Sequence, residues 1–248
     1  MKTTLLLLVP LFLALTVGAG SPPPLQESYV CPPCGAECHF NTYPKAGNCG
    51  GCGMGLVPLS TVPQVGVLLG PGTQLGSTML ALSMFAVSNA GRAFSVADTT
   101  EPLRLGDTLE VRPQFAFADA PKLDVLVLPD GFGAWDDPMV VEWVKGAAEK
   151  ARFVIAVGGG SVLLAKAGYL AGEHVPARRF LVERGKDLAP GPVYEDKPGF
   201  VQTGKFFLAR DTGAGSAATL AVIVELAGEE RAKRVAEEFG QAWAGNAK

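Results

Sequence analysis

Residues 153–172, FVIAVGGGSVLLAKAGYLAG, constrain the fold more than any other stretch of the chain. A short apolar run ending at Val157 meets three glycines and changes at once to a helical pattern over 162–170. A buried strand that turns tightly into a helix has the geometry of a nucleophile elbow. Such a turn carries Ser or Cys at its apex, over the positive end of the helix, where a thiolate is favoured. Here the apex reads Gly158-Gly159-Gly160, so the pattern predicts the support for a nucleophile without the nucleophile. Ser161 is expected to cap or brace the first helical turn. Attack by its hydroxyl would need an adjacent base, and none stands out in the sequence. The glycines themselves require only a tight turn, one that lets backbone or a ligand anion approach the helix start.

The elbow belongs to an alternation of strand and helix patterns from residue 62 to about 240. VGVLL (65–69), FSVAD (94–98), LEVRPQF (109–115), DVLVL (124–128) and VQTGKFFLA (201–209) read as strands. Residues 74–90 read as a helix with Leu75, Met79, Leu82 and Phe85 near one face, and 137–150 as a helix opened by an Asp cap and Pro138. A helical C-terminal region is expected from about 215 to 243, broken at Gly228. Alternating strands and helices imply a mostly parallel sheet covered on both faces, an α/β domain. A hydrophobic content of 48% is ample for that core. A net charge of -3 without a Lys/Arg cluster gives no electrostatic footprint for nucleic acid.

The first residues read as a targeting signal. Lys2, the apolar LLLLVPLFLALTV and the small residues Val17-Gly18-Ala19 predict a signal peptide over 1–19, cut after Ala19. Pro10 and a run shorter than the ~20 apolar residues of a span argue against an integral membrane anchor. GSPPPLQES (20–28) reads as an extended linker. The protein is therefore expected to be exported from a bacterium, to the periplasm or beyond.

All five cysteines fall in the next segment: Cys31, Cys34, Cys38, Cys49 and Cys52. Two C-x2-C knuckles, Cys31/Cys34 and Cys49/Cys52, lie fourteen residues apart with Cys38 and His39 between them. That spacing suits a tetrahedral thiolate site for one ion. Export gives a competing reading, since oxidising compartments favour disulfides, although five thiols would leave one over. Residues 29–58 resemble the short heavy-metal-binding module of bacterial metal-efflux components, through Tyr29-Val30-Cys31-Pro32, Pro44, Gly47, Cys49, Cys52-Gly53-Met54, Leu56 and Pro58. That module's Met-His is replaced by Pro33-Cys34, a thiolate for an imidazole, which favours zinc or copper(I) over harder ions. The expected ligands are Cys31, Cys34, Cys49 and Cys52, with Cys38, His39 and Met54 as further candidates.

Residues 62–243 resemble the ThiJ/PfpI family of the class I glutamine amidotransferase-like superfamily. Three passages carry the likeness: VGVLLGPGTQ, DVLVLPDGFG and AVGGGSVLLAKAGYLAG, with DTGAGSAATLAVIVELAG similar to the fold's last turn and helix. The resemblance implies a flavodoxin-like three-layer sandwich and, in relatives, frequent homodimers. It also implies where the chemistry should be. The family's elbow cysteine falls on Gly158, its supporting acid on Gln74, and the first glycine of its Pro-Gly-Gly turn on Asp130, while Gly131 remains. A histidine that some members carry falls near Arg178, with His174 close in sequence. Asp130 is expected at the mouth of the site, where an anion would oppose oxyanion stabilisation. The implied protein is non-catalytic, binds a metal and an unidentified small ligand, and needs no organic cofactor. An amidase-, hydratase- or glyoxalase-type enzyme using the metal or another nucleophile, and a structural module stapled by metal or disulfides, remain alternatives.

Overall fold

The computed structural model describes residues 27–33, 38, 41–105, 109–131 and 136–243. The expected signal peptide, most of the linker, Cys34 and His39 lie outside them. The described chain opens with three two-residue strands, β1 (Tyr29–Val30), β2 (Thr42–Tyr43) and β3 (Val57–Pro58). They form a small antiparallel sheet in the order β2-β1-β3. Of the six strand residues only Val30 is fully buried, so the module has little hydrophobic core of its own.

A 3-10 turn, Leu59–Thr61, leads into the large domain. β4 (Gln64–Leu68) is followed by α1 (Leu75–Ser88), β5 (Arg92–Ala97), a hairpin of β6 (Leu103–Leu105) and β7 (Leu109–Val111), then β8 (Phe115–Ala116) and β9 (Val125–Leu128). Next come α2 (Pro138–Lys150), β10 (Phe153–Val157), α3 (Gly160–Lys166), β11 (His174–Pro176), α4 (Arg179–Leu188) and β12 (Val193–Glu195). β13 (Phe200–Thr203), β14 (Phe206–Ala209), α5 (Thr212–Ala227) and α6 (Glu229–Glu238) complete the chain. The central sheet runs β13-β14-β10-β9-β4-β5-β8, parallel throughout except for β13.

Alternation along each strand builds two cores. Leu126 and Leu128 of β9, Val154 and Ala156 of β10, and Leu208 of β14 pack with α2, α3 and α4. Val125, Val127, Ile155, Val157 and Phe207 turn the other way and pack with α1, α5 and α6. The result is a three-layer sandwich with a mostly parallel sheet, as the patterning predicts. β4 pairs with β5 on one side and β9 on the other, so the winding reverses between β4 and β9. Such a switch point opens a crevice at the carboxyl ends of the strands. The turns after β4, β9 and β10 all end there.

Several expected elements differ. LEVRPQF is two strands, because Pro113 cannot donate to a ladder; β7 pairs with β6, and β8 alone joins the main sheet. VQTGKFFLA is a hairpin, with Gly204 at φ 55 in its turn. The buried face of α1 is Ser77, Thr78, Ala81, Met84 and Phe85, while Met79 is 46% exposed. This helix has no charged residue, so its sequence marks no outer face and only packing chooses one. The C-terminal helix begins earlier than expected, at Thr212, where Asp211 caps it by accepting from the Ala214 N–H. Gly228, at φ 85, breaks it as predicted.

Candidate functional site: an occupied elbow and a cysteine cluster

The elbow forms where the sequence places it. Gly158 takes φ 48, a left-handed conformation that glycine tolerates best, and its N–H donates to the Ala209 carbonyl at 2.8 Å. A Cβ built on Gly158 would stand 2.5 Å from Oδ1 and 2.6 Å from Cγ of Asp130. The carboxyl group of residue 130 therefore fills the space that a side chain at the apex would need.

Asp130 is held there by every polar atom it has. Oδ1 accepts from the Gly159 N–H at 2.7 Å and the Gly131 N–H at 3.0 Å, and Oδ2 is ion-paired with the Arg178 guanidinium. Its own N–H donates to Ser77 Oγ at 3.1 Å, and its carbonyl accepts from the Gln74 N–H at 2.7 Å. The residue is 1% exposed. A buried carboxylate without partners would cost several kcal/mol, and two amides with a guanidinium offset that cost. Arg178, placed by the sequence near the position of a histidine, supplies the countercharge from the start of α4.

The neighbours complete the closure. Gly131 bridges to Thr73, and a Cβ on it would lie 2.6 Å from the Gly72 carbonyl oxygen, so the turns after β4 and β9 are locked together. The side chain of Gln74 accepts from Thr212 Oγ1 at 2.9 Å, tying the start of α1 to α5. Ser161 is buried and donates its hydroxyl to the Gly158 carbonyl at 2.7 Å, which braces the turn. His174 is an exposed residue whose Nδ1 lies 2.7 Å from Glu195. Lys197, then His174, hold the Glu195 carboxyl below its ordinary value.

The second assembly lies in the small module. The sulfurs of Cys31, Cys38, Cys49 and Cys52 all fall within 4.8 Å of one another. Sulfurs at such separations suit one ion with bonds of about 2.3 Å. Cys31 and Cys49 are buried, Cys38 is half-buried and Cys52 exposed. Backbone bonds wrap the second knuckle, Cys49 N–H to Met54 O at 2.7 Å and Gly53 N–H to Cys49 O at 2.8 Å. The Tyr43 hydroxyl lies 3.5 Å from the Cys49 sulfur. That contact first, then the backbone at Cys52 and Gly51, lowers the Cys49 thiol to about 6, so a ready thiolate is present near neutrality. Cys38, a secondary candidate by spacing, sits within the cluster. A Cβ on Gly51 would stand 2.8 Å from Cys38 Cβ, so a glycine between the knuckle cysteines is what admits it. Nothing in the spacing alone identifies that role.

The two assemblies lie at opposite ends of the sheet. The module leads directly into β4, and the side-chain amide of Asn89, just after α1, lies 2.9 Å from the Pro33 carbonyl oxygen. The elbow follows the far end of β10. A five-residue strand spans about 17 Å, so the cysteine sulfurs do not reach Gly158.

A doubly wound sheet with a strand–glycine–helix elbow one strand from its switch point defines a class of α/β proteins. Residues 64–225 match the model of the DJ-1/PfpI family, and the chain belongs to that family. It is 29% identical over 137 residues to an isonitrile hydratase of Pseudomonas putida. That match takes in 54% of this chain and 59% of the hydratase, so the chain spans less than two thirds of that relative. Among solved structures, Drosophila melanogaster DJ-1beta is similar with a TM-score of 0.64 and 21% identity, over 73% of this chain and 100% of that one. A ThiJ/PfpI family protein from Pseudomonas syringae gives 0.64 and 20%, over 75% of this chain and 78% of that one. At these identities the structures speak to the fold.

Proposed function

We propose that this protein is an exported, metal-binding member of the DJ-1/PfpI family, with a closed, non-catalytic elbow. The observation that carries the reading is the four-sulfur cluster, at separations that suit a soft ion. Cys31, Cys38, Cys49 and Cys52 would hold the ion, zinc or copper(I). The module has too little core to fold without such a staple. Support for a silent elbow comes from Gly158, which offers no nucleophile, and from Asp130, whose carboxyl fills the adjoining space. The export reading rests on the leader sequence. Elemental analysis of the mature protein from its own compartment, with a thiol count on the same sample, tests the proposal. About one ion per chain is expected; two disulfides and no metal would overturn it.

A second reading is a hydratase-type enzyme, favoured by the 29% identity to the isonitrile hydratase. It would require water to be activated without an elbow thiol, at a site whose carboxylate is already neutralised by Arg178. Assay of the purified protein with an isonitrile separates the two. Turnover above the contaminant level, lost on Asp130→Ala, would establish the enzyme and end the non-catalytic reading.

A further inference from the structure

We infer that Cys52 and Cys31 form a hydroperoxide-sensitive pair, and that joining them opens the metal site. The inference rests on the metal-binding reading and adds how the ion leaves. Three observations carry it. Cys52 is the exposed cysteine of the four, so an oxidant in solvent meets it first. Its sulfur lies 3.2 Å from that of Cys31, which is 0% exposed and so poised to resolve rather than to react directly. The other two face each other, Cys49 bonding to Cys38 and also meeting the Tyr43 hydroxyl.

The chemistry balances with a hydroperoxide as oxidant. The Cys52 thiolate attacks the O–O bond, an S–O bond forms, and the departing alkoxide or hydroxide takes a proton from water. The Cys31 thiolate then attacks the sulfenic sulfur, an S–S bond forms, and hydroxide leaves. Two electrons pass from the two sulfurs to the peroxide. The sulfurs must close from 3.2 Å to about 2.05 Å. A module of two-residue strands can yield by that amount where the main sheet cannot. Of the four described thiolates the ion then keeps Cys38 and Cys49, and a site that loses two thiolates holds zinc far more weakly.

The test uses the mature chain loaded with zinc under reducing conditions, then treated with hydrogen peroxide. A chromogenic chelator reads zinc release, and peptide mapping by mass spectrometry reads the disulfide. Release of the bound zinc together with a Cys31–Cys52 disulfide, both reversed by a thiol reductant, is expected. Cys52→Ser should still bind zinc through three sulfurs and release it at least about tenfold more slowly. Cys38→Ser should still form the Cys31–Cys52 disulfide, which separates the pair from general loosening of the module. Zinc retained through peroxide treatment, or a disulfide between any other two cysteines, would overturn the inference. Failure of the reduced protein to bind zinc at all would instead overturn the metal-binding reading beneath it.

Discussion

Asp130 and Gly158 must be understood together, because each occupies space or conformation that the other would otherwise need. Restoring a cysteine at the apex should therefore fail. Gly158→Cys places a Cβ 2.5 Å from the Asp130 carboxylate, at φ 48. We expect it to destabilise the protein by about 2–4 kcal/mol in denaturant unfolding. Asp130→Gly alone leaves the Gly159 N–H and Arg178 without their acceptor, at a cost of about 1–3 kcal/mol. The double variant should cost clearly less than the two singles summed, since removing the carboxylate makes room for the sulfur. Additive effects would show that the two side chains do not compete for one space. Arg178→Ala should cost about 1–3 kcal/mol, because it strips a buried carboxylate of its countercharge while leaving two amides in place.

At the scale of elements, β12 and α4 pack where the Tyr194 ring lies against Gly185. A Cβ on Gly185 of α4 would overlap the ring of Tyr194, so the glycine is what lets the helix lie against the strand. Burial pushes the Tyr194 phenol up to about 12, with Ser161 pulling weakly the other way. The folded value lies above the unfolded one, so the neutral phenol stabilises the fold fully below pH 10. That contribution disappears as pH rises from about 10 to about 12, when the unfolded chain ionises first. We expect stability to fall by about 2 kcal/mol across that interval from this residue. In Tyr194→Phe that part of the decline should vanish. An unchanged pH profile in the Phe variant would refute the assignment. The same scale governs the cysteine module. Gly51→Ala should weaken metal binding with all four cysteines intact, because its methyl group would displace Cys38. Titration with a competing chelator checks it.

Across the whole molecule, metal and fold should separate cleanly. On the proposed reading the small sheet depends on its sulfurs, whereas the seven-stranded sheet has a core on each face. Chelation is expected to unlock hydrogen exchange in β1–β3 while leaving β4 to α6 protected; collapse of both together would contradict this. Much of this organisation was already legible in the residues. The runs at 65–69, 124–128 and 153–157 announce buried strands because their apolar stretches end at Gly or Pro. The elbow is legible because three glycines interrupt a strand just before a helical pattern. The clustering of cysteines likewise reveals a thiolate module. Those signals are local, carried by propensity and spacing within a few residues. Three matters needed the folded chain. Asp130 meets Arg178 across 48 residues of sequence, and nothing in either neighbourhood foretells the pair. Cys38 enters the cluster through the absence of a side chain at Gly51, a steric fact with no periodicity. The face expected for α1 was wrong at Met79, since an uncharged helix takes its orientation from the sheet and α5 rather than from its own pattern. Local chemistry thus determined the framework, and long-range burial and charge pairing decided what fills its apex.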